Sequence, residues 1–159
     1  MVLDINTPKG QEFLQLEQLM LTHITKHFNC SIIQTQKEKA SKLDGFLIRD
    51  GEIFAAFESK CRNLSLTDLR NFGSYLITHE KLLGCREITK RLCIPLYLFV
   101  YLVNDNTVVY WKVTDNSDLC NIEYEIKSSS TQFCCNGGII IRENAYMKLS
   151  NMKLITKDN

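Results

Sequence analysis

What this sequence lacks narrows its class before any residue is singled out. No apolar run approaches the roughly 18 residues that a membrane-crossing helix requires. The longest, Ile94 to Val103, has the length of a strand. Met1 to Pro8 shows no basic stretch followed by an apolar one, so no secretory leader is expected and the chain reads as cytoplasmic. An excess of charge of one sign is missing too. The net charge of +1 neither demands nor forbids a nucleic-acid partner. A non-specific DNA coat would be more basic, whereas an enzyme needs only a local basic patch and its acidic ligands lower the total. Neither C-x-x-C nor a Cys/His pairing at zinc spacing occurs, although there are seven cysteines, Cys30, Cys61, Cys85, Cys93, Cys120, Cys134 and Cys135. Scattered in this way, they read as small buried apolar residues. Repeats, low-complexity tracts and linkers are absent. A chain of 159 residues that is 45% hydrophobic and 23% charged then suits one domain over 1–159 with a core of its own.

Periodicity divides the chain into elements. Thr7 and Pro8 suit the N-cap and first position of a helix, with Phe13, Leu16, Met20, Ile24 and Phe28 at helical spacing through about Cys30. Ser31 to Thr35 is β-prone, and Gln36 to Lys42 is polar and loop-like. Leu43 to Arg49 and Glu52 to Cys61 flank Asp50-Gly51 as a hairpin does. Ser65 and Asp68 resemble a capping box. A second helix is predicted from Leu66 through Leu83, ended by Gly84, with a short helical piece over Arg86 to Leu92. Ile94 to Val103 reads as a central strand covered on both faces, and Thr107 to Val113 as its antiparallel neighbour. Farther on, Ile122 to Lys127 and Gly138 to Arg142 are strand-like, with a polar loop between them. The sum is an α/β layer structure: a mixed central sheet flanked by helices in the order α-β-β-β-α-β, with a core of about 9–105 and a β-rich extension of about 107–156.

One pattern carries chemistry. Asp44 is followed, after thirteen residues, by Glu58-Ser59-Lys60. Glu58 ends the apolar strand Ile53-Phe54-Ala55-Ala56-Phe57. Strand side chains alternate with period two, so Lys60 shares its face. Two carboxylates suit Mg²⁺, and the carbonyl of Ser59 adds a further oxygen. A cation so held polarises a phosphate and acidifies a bound water, and a lysine beside it orients that water or stabilises the developing charge. Geometry sets a condition. A regular two-residue turn at Asp50-Gly51 would place Asp44 opposite Phe57, on the wrong face. A three-residue Arg49-Asp50-Gly51 loop would place it opposite Ala56 and diagonal to Glu58. The site therefore requires an odd-length loop or a bulge in this hairpin. On the first helix, with Phe13 at zero and about 100° per residue, Glu17 falls near +40°, inside the apolar stripe, while Glu12 falls off it. A carboxylate in that stripe needs a partner, so Glu17 is the candidate for a third acidic member.

The strand-borne aspartate, the hairpin and the E-x-K ending resemble the PD-(D/E)xK, or restriction-endonuclease-like, nuclease superfamily. Asp44 matches the motif's aspartate and Glu58-Ser59-Lys60 its (D/E)xK. Glu17 resembles the first-helix glutamate of many members, including archaeal Holliday-junction resolvases. Leu43 departs from the pattern, standing where many members have proline. The resemblance implies Mg²⁺ or Mn²⁺ dependence, hydrolysis that leaves a 5′-phosphate, and DNA as the partner, with RNA as the alternative nucleic acid and no membrane. A homodimer would follow if both strands are cut.

Weaker substrate-binding candidates are Gln36 and Lys37 ahead of the hairpin, and Arg70 and Tyr75 on the predicted second helix. Their bland readings are solvated loop residues and a core or rim tyrosine. Lys81, Arg86, Lys90 and Arg91 form a basic stretch whose default reading is a solvated helix face. The competing functions are a catalytically inactive nucleic-acid-binding module with the same fold, an interaction protein in which the acidic residues do not converge, and a nuclease directed at RNA.

Overall fold

The computed structural model describes residues 6–36, 41–132 and 138–155. The first helix, α1 (Pro8–Phe28), starts as its sequence dictates: the Thr7 hydroxyl accepts from the Gly10 amide at 3.1 Å, and Pro8 opens the first turn. It ends at Asn29 in the left-handed conformation. A short strand, β1 (Ser31–Gln34), leads to the hairpin of β2 (Gly45–Arg49) and β3 (Glu52–Arg62). Then follow α2 (Leu66–Phe72), β4 (Ser74–Thr78), α3 (His79–Leu92), β5 (Leu96–Leu102) and β6 (Thr107–Lys112). The remaining strands are β7 (Tyr124–Gln132), β8 (Ile139–Lys148) and β9 (Lys153–Ile155). Among the described residues no helix is long and apolar enough to cross a membrane.

The strands form a six-stranded mixed sheet, β1-β2-β3-β5-β6-β9, and a three-stranded antiparallel sheet, β4-β8-β7. Among the described residues only β3 and β5 pair in parallel, Ala56 with Leu96 through Arg62 with Leu102. The chain between them, α2-β4-α3, makes the crossover that a parallel pair requires. α1 covers one face of the large sheet: Met20, Leu21 and Ile24 pack with Leu47, Ala55, Phe57, Phe99 and Tyr101. α2, α3 and the small sheet cover the other, where Leu69, Leu82 and Cys85 meet Ala56, Leu98, Val100 and Trp111. β3 and β5 are thus covered on both sides, and their continuous apolar runs reflect it.

Four sequence expectations are corrected. The second helix is not continuous to Leu83. Gly73 takes a left-handed φ of 76° and caps α2, and the chain then runs extended as β4 before α3 begins. Gly84 lies inside α3, which runs on without a break to a left-handed Cys93. Phe13 is 43% exposed, so the apolar stripe of α1 begins later than its wheel suggests. In the C-terminal part, the supposed loop after Lys127 is partly strand, because β7 and β8 pair as a long hairpin from Tyr124–Met147 to Gln132–Ile139.

The β2–β3 hairpin sets the phase of the site. Asp50 and Gly51 both have positive φ, 52° and 77°, as a two-residue type I′ turn demands. Ile48 pairs with Ile53, but Leu47 pairs with Ala55, so Phe54 is an extra residue, a bulge in β3. The irregularity the motif requires is present, in the strand rather than in the turn. Gly45 is compelled by packing: a Cβ there would stand 2.4 Å from the Ile33 carbonyl and 2.9 Å from the Phe57 ring.

Candidate active site

β2 ends at Gly45, whereas β3 continues to Arg62. Beyond Phe57, β3 therefore has no β2 residue paired beside it, and its backbone groups on that side need other partners. Asp44 supplies them. Its amide donates to the Phe57 carbonyl at 3.1 Å. Its carboxylate oxygen Oδ2 accepts from the Ser59 amide at 2.8 Å and from the Ser59 hydroxyl at 3.1 Å. Extending the register one step beyond Gly45–Phe57 sets Asp44 level with Glu58. β1 holds this end of the chain in turn: the Thr35 amide donates to the Asp44 carbonyl at 2.9 Å, and its hydroxyl to the Leu43 carbonyl at 2.6 Å.

Glu58 follows Ala56 on the face covered by α3 and is only 1% exposed. It borders a small apolar void with Ile77, Leu82, Cys85, Leu98 and Met147. Two ammonium groups meet its carboxylate. Lys60 Nζ lies 2.8 Å from Oε1, and Lys81 Nζ, arriving from α3, lies 3.1 Å from Oε2. Burial is the largest influence on Glu58 and holds its carboxyl above the usual glutamate range. Lys60 and Lys81 pull it down, and the Asp44 charge pushes it further up. For Lys60, burial works to lower the ammonium's pKa, but the Glu58 carboxylate, the hydrogen bond to it and the Asp44 charge together leave it raised. Asp44, Glu58, Lys60 and Lys81 thus act on one another as a single cluster. The same cluster reaches the Cys85 thiol beneath it, which burial pushes up to about 12.

The other sequence candidates lie elsewhere. Glu17 is half-buried on α1, the helix covering the opposite face of the sheet from the Glu58 side chain. Among the described residues no three acidic, histidine or cysteine side chains gather closely enough to hold an ion, so Glu17 does not join Asp44 and Glu58 in this arrangement. Tyr75 sits on β4 rather than on a helix. It is buried and stacks on Trp111 with centroids 5.6 Å apart, which makes it a core residue. Gln36 is exposed just past β1, near the Asp44 end of the hairpin, and Arg70 is exposed on α2. Lys37 lies outside the described residues.

Lys81 is the residue the sequence did not assign. It stands in a basic stretch in which Lys90 and Arg91 are exposed as a solvated face would be, whereas Arg86 is half-buried and pairs with Asp118 at 3.1 Å. The available signal was its position four residues before Cys85, since residues so spaced share a helix face and that cysteine is buried.

The sequence matches a family model described as "phage putative PDDEXK endonuclease" over residues 12–126. No curated protein matches it. The matched span covers well over half of the chain and contains Asp44, Glu58, Ser59, Lys60 and Lys81, together with the crossover that brings Lys81 to Glu58. By its motif, its mixed sheet and this match, the chain belongs to the phage PD-(D/E)xK endonuclease family.

Proposed function

We propose that the protein is a divalent-cation-dependent endonuclease acting on DNA, with Asp44, Glu58 and the Ser59 carbonyl as cation ligands and Lys60 as the catalytic lysine. The observation that carries this reading is the Glu58 carboxylate, buried in an otherwise apolar layer and pinned by two ammonium groups. A buried ion pair gives little net stability over apolar side chains of similar volume. Its presence here is therefore better explained by chemistry than by folding.

The donor set fits the group. Asp44 and Glu58 offer carboxylate oxygens, and strand geometry points the Ser59 carbonyl to the same open edge as the Ser59 amide that Asp44 accepts from. Such hard oxygen donors suit Mg²⁺ or Mn²⁺. When bound, the cation supplies polarisation of the phosphodiester and a more acidic water. The Ser59 amide and hydroxyl fix the Asp44 carboxylate at the mouth of the site. Glu58 is fixed by the strand and by its burial. Lys60 is 38% exposed and stands at the rim, where its ammonium can meet a phosphate oxygen as charge develops there or hold the attacking water. Gln36 and Arg70, both exposed, are proposed contacts to the substrate backbone.

The test is cleavage of supercoiled plasmid, single-stranded DNA, a four-way junction and RNA in Mg²⁺, Mn²⁺ or EDTA, with Glu58→Ala and Lys60→Ala as matched controls. Metal-dependent DNA cutting that both substitutions abolish is the expected result. DNA binding without cutting, identical in all three proteins, would replace this reading by the inactive binding module. Cutting of RNA alone would reassign the substrate.

A further inference from the structure

Glu58 is met by two ammonium groups that differ in how they are tied to it. Lys60 lies two residues along the same strand, so its base moves with Glu58. Lys81 comes from α3, across the crossover, on a flexible four-carbon stem. Its Nζ has a second anchor, the Ser41 carbonyl at 3.0 Å. Next to it opens a cavity of about 530 Å³ lined by Ser41, Lys42, Thr78, Glu80, Lys81 and Glu87. The Lys81 side chain is 26% exposed, so the ammonium has somewhere to go without unfolding anything. The walls of that cavity are partly fixed: Lys42 pairs with Glu87 at 2.7 Å, and the Cys85 thiol donates to the Lys42 carbonyl at 3.0 Å.

We infer that Lys81 is an internal stand-in for the divalent cation, occupying Glu58 Oε2 until the ion arrives and then turning into the adjoining cavity to hold a phosphate of the bound strand. The inference rests on the function proposed above and adds a residue and a sequence of events to it. An ammonium and a divalent ion compete for one carboxylate oxygen, because like charges a few ångströms apart repel strongly away from bulk water. Of the two ammoniums, the one borne by a separate element and already shared with a second acceptor, the Ser41 carbonyl, is the one that leaves. Lys81 acts first as a positioning residue, keeping a buried carboxylate neutralised and in place, and contacts substrate only after the exchange. Lys42, on the same cavity wall, is already paired with Glu87, so the charge offered to a phosphate there is that of Lys81, and Glu80 and Glu87 limit how far the strand penetrates.

The experiment is calorimetric titration of the full-length protein with Mn²⁺ in the absence of DNA, for wild type, Lys81→Met and Lys81→Arg at one pH and ionic strength. Melting in EDTA and in Mn²⁺ is followed in parallel. Lys81→Met is expected to bind Mn²⁺ roughly tenfold tighter, having lost the competitor. It is also expected to melt lower than wild type in EDTA and to gain more from added Mn²⁺. Duplex binding in Ca²⁺ is expected to weaken, with a salt dependence reduced by about one phosphate contact. Unchanged or weaker Mn²⁺ binding by folded Lys81→Met overturns the stand-in. Unchanged DNA affinity and salt dependence overturn the transfer to phosphate. If Lys81→Met does not fold, Lys81→Arg carries the test with the opposite sign: its permanently charged fork should weaken Mn²⁺ binding, and equal or tighter binding overturns the inference. A wild type that binds no Mn²⁺ overturns the proposed function itself, which separates that failure from this one.

Discussion

The two faces of the large sheet come from the same strands and serve different ends. Under α1, β3 contributes Ala55 and Phe57 and β5 contributes Phe99 and Tyr101, and Phe28 of the helix meets the rings of Tyr97, Phe99 and Tyr110 edge-on at 5.4 to 5.8 Å. Such pairs prefer this geometry and add to the burial of their area. Under α3, alternate residues of the same β3 read Ala56, Glu58, Lys60, and the layer that begins apolar ends in charge. Both faces therefore bury apolar cores that stabilise the fold. The one under α3 also gives some stability up to hold a carboxylate in a place where water cannot solvate it. Period-two alternation keeps the two tasks apart, so each can be disturbed alone.

The largest effect should come from the aromatic face. Phe99→Ala removes a fully buried ring and is expected to cost about 3–5 kcal/mol in urea unfolding, with the Mn²⁺ affinity of the folded fraction unchanged. A parallel loss of affinity would show that the faces are coupled. On the other face, Glu58→Gln keeps size and shape but removes the charge. DNA cleavage should fall by on the order of a thousandfold while the far-ultraviolet spectrum persists. Residual cutting close to wild type would move the catalytic carboxylate elsewhere.

The pH dependence separates the faces further. Because burial raises the Glu58 carboxyl in the folded chain, the protonated form is the one the fold favours. Its contribution to stability is full below the unfolded value of 4.5 and is lost as pH rises through the raised folded value. Metal binding needs the carboxylate and runs the other way. Mn²⁺ affinity should fall on the acid side at a pH above the ordinary glutamate range, and Glu58→Gln should abolish this limb. Affinity that stays flat down to pH 4.5 would sink the assignment of Glu58 as a ligand. The smallest effect is expected at Ser59→Ala, which removes the hydroxyl contact to Asp44 but leaves the amide contact at 2.8 Å. A loss of about fivefold or less in Mn²⁺ affinity is anticipated, since one neutral hydrogen bond contributes about 1 kcal/mol.

Asp44, Glu58 and Lys60 were legible because they are encoded locally: an apolar strand, a turn and a period of two suffice to relate them. The need for an irregularity in the hairpin was legible for the same reason. That it lies at Phe54 was not, since nothing in Ile53-Phe54-Ala55 distinguishes a bulged residue from a paired one. The second helix was misread because Leu66, Leu69, Phe72, Leu76 and Ile77 keep a helical rhythm across Gly73. The left-handed cap of α2 and the pairing of β4 with the distant β8 override that rhythm. Lys81 was missed for a related reason. Its partner lies across the crossover in space, and a charge is assigned to solvent until its neighbours are known. Glu17 shows the converse limit: a helical wheel places a residue on a face but does not say which side of a sheet that face will meet.

The extra residue at Phe54 makes the spacing of the motif a matter of phase, much as codons depend on a reading frame. The thirteen residues between Asp44 and Glu58 include one strand residue, Phe54, that has no pairing partner and so shifts the count. Removing Phe54 itself would leave a regular hairpin with Asp44 still level with Glu58, but removing a residue between Ala55 and Phe57 with the bulge kept would move Glu58 and Lys60 onto the aromatic side beneath α1, while leaving every side chain of the motif in the sequence. A compensating one-residue insertion nearby would restore the frame.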